Sequence, residues 1–133
     1  MEMAIRVGID LVAVDDVRAS LEAHGERYLQ RIYTEREAAD CGPAGDPDPE
    51  RLAARFAAKE AAFKALRVGG RAMSWREAEL IRGADGEIEL ELGPEAAALA
   101  REAGITELSV SISHDNGRAV AVVIGEILRS ADT

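Results

Sequence analysis

The chain has 133 residues, 47% of them hydrophobic, and 25 acidic side chains against 16 basic ones leave a net charge of −9. That length is enough to bury a core and suits a single domain over residues 1–133. The charge, with no basic run to offset it, excludes a nucleic-acid or anionic-membrane partner, but not an anionic ligand held by a few local cations. The lone Cys41 has no internal disulfide partner and fits a reducing cytoplasm. No stretch approaches the roughly 18 apolar residues of a membrane span, and the N-terminus lacks a leader pattern, so a soluble cytoplasmic protein is expected.

Residues 4–14 alternate as a strand, with Ile5, Val7, Ile9 and Leu11 on one side and Arg6, Gly8, Asp10 and Val12 on the other. Aspartate is disfavoured inside a strand, and Gly8, on the same face, leaves space beside the Asp10 carboxylate. An edge-strand aspartate facing water is the plainer reading of Asp10. Asp15 is expected to cap a helix that runs to His24 and stops at Gly25, with His24 placed to favour the helix dipole. Residues 26–32 continue as helix or turn, and Thr34 with Glu37 has capping-box spacing for a short helix ending at Gly42. Residues 42–48 form a Gly/Pro-rich loop.

A longer helix follows, capped by Asp48, with Pro49 in its first position and Gly69-Gly70 as its stop. Leu52, Phe56, Phe63 and Leu66 fall on one apolar arc. Lys59 falls within that arc, Arg55 and Glu60 at its edges, and Lys64 just beyond Glu60. Two readings stand side by side. Lys59 snorkels while Glu60 and Lys64 form an i,i+4 pair, or the carboxylate and two lysines border a site for a metal and phosphates. Arg67-Val68-Gly69-Gly70-Arg71 is either a helix stop with solvated charges or a loop that wraps an anion through backbone N–H groups.

Beyond Ser74-Trp75, strands over 77–82 and 87–92 turn at Asp85-Gly86, and Pro94 opens a helix ending before Gly104. A strand over Leu108–Ser113 delivers His114 at its end, Asn116-Gly117 marks a hairpin, and Ala119 to Leu128 is a long apolar strand. The last few residues are expected to fray. The order β-α-α-α-β-β-α-β-β predicts an α+β fold, a mainly antiparallel sheet packed on helices.

Three polar residues stand out: Asp10 on a strand, Glu60 on the long helix and His114 at a strand end. Two carboxylates suit Mg²⁺, which takes one or two protein carboxylates plus substrate phosphates, and Lys59 and Lys64 would balance phosphate charge. For His114, a hydrogen bond beside the hairpin is the plainer role. The spacings lack a zinc pattern, a G-x-x-x-x-G-K-[ST] loop and a G-x-S-x-G elbow.

Val7-Gly8-Ile9-Asp10-Leu11-Val12 resembles the opening motif of the holo-acyl-carrier-protein synthases, the small bacterial class of 4′-phosphopantetheinyl transferases. Arg55-Phe56-Ala57-Ala58-Lys59-Glu60-Ala61-Ala62-Phe63-Lys64 resembles their second motif, an aromatic followed by Lys-Glu and a lysine four positions later. Val110-Ser111-Ile112-Ser113-His114 and the hairpin into Ala119–Ile124 resemble their C-terminal signature. The likeness runs in the family's order from about Ile5 to Glu126.

This resemblance implies Mg²⁺-dependent transfer of 4′-phosphopantetheine from coenzyme A to a serine of apo acyl carrier protein in fatty-acid synthesis, releasing adenosine 3′,5′-bisphosphate. On the matching positions, Asp10 and Glu60 would bind Mg²⁺. Glu60 would also act as the base for the serine, directly or through a metal-bound water. Lys64 and Lys59 would contact phosphate, Gly69 and Gly70 would wrap the coenzyme A arm, and His114 would position the diphosphate or the serine. A homotrimer with sites between neighbouring subunits is also implied. Two departures from the family's pattern mark this chain. Arg67-Val68-Gly69 replaces a common Gly-Thr-Gly, and Ala13 and Asp16 stand where many members carry a Glu and a carrier-docking basic residue; Arg18, Arg27 and Arg31 are then the docking candidates. The alternatives are a transferase dedicated to a polyketide or other specialised carrier, and a non-catalytic module binding coenzyme A or a carrier.

Overall fold

The computed structural model describes residues 2–129, so the expected fraying of the last few residues lies outside the described part. In chain order the elements are β1 (Glu2–Ala13), α1 (Val14–His24), α2 (Glu26–Ile32), α3 (Glu35–Asp40), α4 (Pro49–Leu66), a 3-10 turn (Trp75–Glu77), β2 (Ala78–Arg82), β3 (Ile88–Leu92), α5 (Pro94–Ala103), β4 (Ile105–Asp115) and β5 (Arg118–Arg129). All strand pairings are antiparallel. The sheet is divided, with β1-β5-β4 forming one part and the β2-β3 hairpin the other. The expected α+β architecture is present.

Local chemistry explains most boundaries. Thr34 and Glu37 complete their capping box, and Asp48 accepts from the Glu50 N–H with Pro49 at the first helical position of α4. Asn116 and Gly117 both take positive φ, as a two-residue hairpin with the sheet's twist requires. Two expectations change. Asp15 is not a cap, because α1 starts at Val14, whose N–H is taken by the Gly117 carbonyl at 2.9 Å, and Asp15 pairs with Arg18. Helix α4 stops at Leu66, ahead of the glycines, because Arg67 itself adopts the left-handed conformation (φ 57°, ψ 48°) that closes it.

The core lies between α4 and the β1-β5-β4 sheet, and α4 meets it chiefly through alanine. Ala53, Ala57, Ala58, Ala61, Ala62 and Ala65 are fully buried along with Leu52, whereas Phe56 and Phe63 are only half-buried. The expected four-residue apolar arc is therefore not the whole buried face. Small side chains let the helix axis approach the sheet closely, and the sheet answers with Gly8, Ala119, Ala121 and Val123. A Cβ at Gly8 would lie 1.9 Å from the Ala61 carbonyl oxygen, so the space beside Asp10 is occupied by the backbone of α4. On the other face of β1, Met3, Ile5, Val7, Ile9 and Leu11 remain 57–63% exposed. No described helix is long and apolar enough to cross a membrane.

Candidate functional site

The close contact at Gly8 brings β1 and α4 together where each carries a carboxylate. Asp10 and Glu60 are close enough for each carboxyl to act on the other. Burial, then Asp10, push the Glu60 carboxyl up from 4.5 to about 7, while Lys64 pulls the other way. Lys64 Nζ donates to Asp10 Oδ1 at 3.1 Å and to the Ile9 carbonyl at 2.9 Å. The lysine thus crosses from α4 to β1, and its ion pair is with Asp10, not the i,i+4 partner Glu60.

Glu60 lines two cavities. The larger, about 570 Å³, has an apolar wall of Phe63, Val68, Met73 and Trp75, with Lys64, Arg67 and Arg71 as its charged lining. The Phe63 and Trp75 rings stack at 5.0 Å and 8°, and Phe56 meets Trp75 edge-on at 5.2 Å and 66°. The smaller, about 280 Å³, is bounded by Asp10, Asp16, Val17, Tyr28 and Phe56 as well as Glu60. Its Tyr28 hydroxyl lies 3.1 Å from that of Tyr33, which donates to the Leu52 carbonyl. A reacting centre beside Glu60 can thus be reached from two sides.

Three expected site residues stand elsewhere. Lys59 is fully buried and lines neither cavity; its ammonium donates to Glu37 Oε1 at 2.7 Å, the Trp75 carbonyl at 3.1 Å and the Ala78 carbonyl at 2.6 Å. With all three hydrogens engaged it neither snorkels nor reaches a phosphate in the groove. His114 lies on the opposite flank of α4, its Nδ1 3.1 Å from Glu50 Oε1. The register explains why, since Asp10 and Ile112 both pair with Ala121, which sets β1 and β4 on opposite sides of β5. Gly69 lines the large cavity, whereas Gly70 is outside that lining. The amides of Arg67, Val68 and Arg71 are committed to the carbonyls of Lys64, Phe63 and Val68, so the expected anion wrap narrows to Gly69 and Gly70.

Around His114 is a pocket of about 380 Å³ lined by three arginines, Arg51, Arg55 and Arg82, and by two carboxylates, Asp48 and Glu50. Arg55 is only 3% exposed, and its Nε and Nη2 have no hydrogen-bond partner among the described residues. Asp40 lies 3.7 Å from Nη2, too far for a hydrogen bond. Sequence reasoning placed Arg55 at the edge of the helix arc and assigned it no role. A burial signal for it exists only in three dimensions.

Residues 6–123 match the family model described as the 4′-phosphopantetheinyl transferase superfamily. The chain belongs to that superfamily. Among its relatives, the holo-[acyl-carrier-protein] synthase of Gloeobacter violaceus is 41% identical over 118 residues, covering 89% of each chain. That of Desulforudis audaxviator is 41% identical over 122 residues, covering 92% of each. The Neisseria meningitidis enzyme's crystal structure superposes with a TM-score of 0.79 at 32% identity, covering 90% of this chain and 96% of that one. The Helicobacter pylori enzyme, solved in complex with coenzyme A, gives 0.78 at 30% identity, covering 90% and 98%. The chain is a transferase of the holo-acyl-carrier-protein synthase kind.

Proposed function

We propose that Asp10 and Glu60 bind Mg²⁺ and that the transfer of 4′-phosphopantetheine from coenzyme A to apo acyl carrier protein takes place beside them. The observation carrying this reading is the Asp10–Glu60–Lys64 cluster, with Glu60 common to an apolar cavity with a cationic lining and a second, smaller cavity. The donor set fits the ion. Two neighbouring carboxylates, with Glu60 pushed towards its protonated form first by burial and then by Asp10, would be relieved by a bound cation. Asp10 and Glu60 would hold Mg²⁺, which would neutralise charge on the diphosphate.

The larger cavity takes the coenzyme A arm: its wall is apolar, and Arg67 and Arg71 supply charge complementary to phosphates. The carrier's serine enters from the smaller cavity. Glu60 accepts the serine proton as the oxygen bonds to the phosphorus bearing pantetheine. The bond from that phosphorus to adenosine 3′,5′-bisphosphate then breaks. Lys64 holds the Asp10 carboxylate in place and faces phosphate charge. Positioning and charge neutralisation supply most of the rate in such a transfer.

The protein acts as one domain and as a homotrimer. An apolar row of Met3, Ile5, Val7, Ile9 and Leu11, exposed in one copy, supports assembly, since monomers rarely leave a contiguous apolar face uncovered. His114 and Arg55 line a pocket that Glu60 does not reach within one chain, which supports a site completed by a neighbour, whose arginines would take a further phosphate of coenzyme A. Fatty-acid synthesis in the cytoplasm is the setting the family resemblance favours. A specialised carrier is the second reading, favoured by Asp16, a carboxylate lining the acceptor-side cavity where a carrier-docking cation is common.

Mass spectrometry of apo carrier proteins incubated with enzyme, coenzyme A and Mg²⁺ tests the reaction, and a panel of carriers separates the two readings. Asp10→Ala and Glu60→Ala should each lose at least about 100-fold in turnover while keeping the fold. Near-normal turnover of both at saturating coenzyme A and Mg²⁺ would overturn the metal assignment.

A further inference from the structure

We infer that the buried Lys59–Glu37 pair is a positioning device for the coenzyme A groove, acting through Trp75; this rests on the reading that the larger cavity holds coenzyme A. Both side chains are fully buried. Glu37 Oε1 accepts from Lys59 Nζ at 2.7 Å and from the Thr34 N–H at 2.9 Å, and its Oε2 accepts from the Leu80 N–H at 3.0 Å. Lys59 directs its remaining hydrogens to the carbonyls of Trp75 and Ala78, at 3.1 and 2.6 Å. Those carbonyls bracket the 3-10 turn Trp75–Glu77, and the turn carries the indole that stacks on Phe63 to make the groove wall.

Stability alone is a weak reason for the pair. Matched apolar side chains of the same volume often hold two buried layers together as well as an ion pair, because both charges lose their hydration on folding. Burial indeed lowers the Lys59 pKa, with Glu37 acting against it. What apolar side chains cannot do is fix the direction of a backbone carbonyl. Lys59 does so twice, at either end of one turn, from the residue next to Glu60 on α4. The same helical turn therefore sends Glu60 to the reacting centre and Lys59 beneath the wall that aligns the substrate arm. Glu37 anchors the ammonium from α3 and, through its capping box, fixes its own backbone. Lys59 touches neither cavity, so it is a positioning residue and not a catalytic one.

Trp75 is the only tryptophan in the chain, so its fluorescence reports this wall alone. The double variant Glu37→Gln/Lys59→Met keeps side-chain volume, removes both charges and withdraws the hydrogens from both carbonyls. In the folded double variant, without ligand, Trp75 should emit further to the red and acrylamide quenching should rise several-fold. The coenzyme A KM should rise about tenfold, with kcat changed far less, because Asp10 and Glu60 are untouched. A folded double variant with wild-type quenching and wild-type KM overturns the proposal. If the double variant does not fold, Trp75→Leu decides: it leaves the pair in place and should reproduce the KM rise with kcat largely kept, and an unchanged KM overturns the proposal. Saturating coenzyme A should shift wild-type Trp75 emission. No shift there refutes coenzyme A in this groove, and the proposal with it, whereas the ligand-free quenching reads the pair's hold on the wall independently.

Discussion

Substituting Gly8 by alanine tests the link between packing and chemistry most directly. The added Cβ would sit 1.9 Å from the Ala61 carbonyl oxygen and 2.8 Å from the Ala65 nitrogen, both backbone atoms that no rotamer change can move. Strand β1 is bonded to β5 along its whole length, from Glu2↔Arg129 to Ala13↔Arg118, so strand and helix must separate as units. The contact has to open from 1.9 Å to beyond 3.0 Å. Overpacking of this kind costs about 3 kcal/mol or more, which for a chain of this size lowers the melting temperature by roughly 10 °C. The separation falls two residues from Asp10 and one from Glu60, and a displacement of about 1 Å between catalytic groups costs roughly 100-fold in rate. Circular dichroism melts and carrier-modification rates at saturating coenzyme A and Mg²⁺ measure both effects. A Gly8→Ala protein melting within about 2 °C of wild type at near-normal turnover would refute the argument that close packing sets the Asp10–Glu60 geometry.

The remaining predictions follow from the same structure. Without a divalent cation, Glu60 is pushed up to about 7, so its neutral form favours the folded state; that contribution is full below its ordinary 4.5 and is lost as pH rises through about 7. Glu60→Gln, in chelator, should therefore melt close to wild type at acid pH and above it at alkaline pH, and parallel profiles would contradict the assignment. Val7→Asp places a carboxylate in the exposed apolar row, at a desolvation cost of several kcal/mol if that row is buried between copies, so light scattering should report monomers with little activity. A trimer of unchanged mass would remove this row from the interface. Asp16→Arg should lower the KM for an acidic carrier severalfold, mainly through the association rate and less at high salt, with coenzyme A affinity unchanged. A carrier KM indifferent to the substitution at both salt concentrations would place docking elsewhere.

What the sequence made legible was whatever depends on near neighbours. Asp48-Pro49, Thr34 with Glu37, and Asn116-Gly117 each carry their turn or cap chemistry within four residues, and each forms as expected. Asp10, Glu60 and His114 stood out together as polar residues beside apolar patterns, but only Asp10 and Glu60 meet, and their meeting depends on Gly8 and the alanines of α4, whose small size says nothing of which surface they approach. Asp15 misled because any of several residues at a helix start can fill the cap, and here the Gly117 carbonyl takes the first N–H.

Lys59 shows why the rest was hidden. A lysine in an apolar arc looks the same whether its ammonium emerges at a site, snorkels to water or stays buried, and only its partners distinguish these. One partner, Glu37, lies 22 residues upstream and already had a local explanation in its capping box. The other two are carbonyls, at Trp75 and Ala78, and every residue has one, so no residue type signals them. A carboxylate that serves a cap and a buried cation together is therefore read as a cap alone. The groove wall escaped for the same reason. Phe63 and Trp75 are twelve residues apart on either side of a glycine pair, and their stacking depends on a turn held by a lysine hidden behind them.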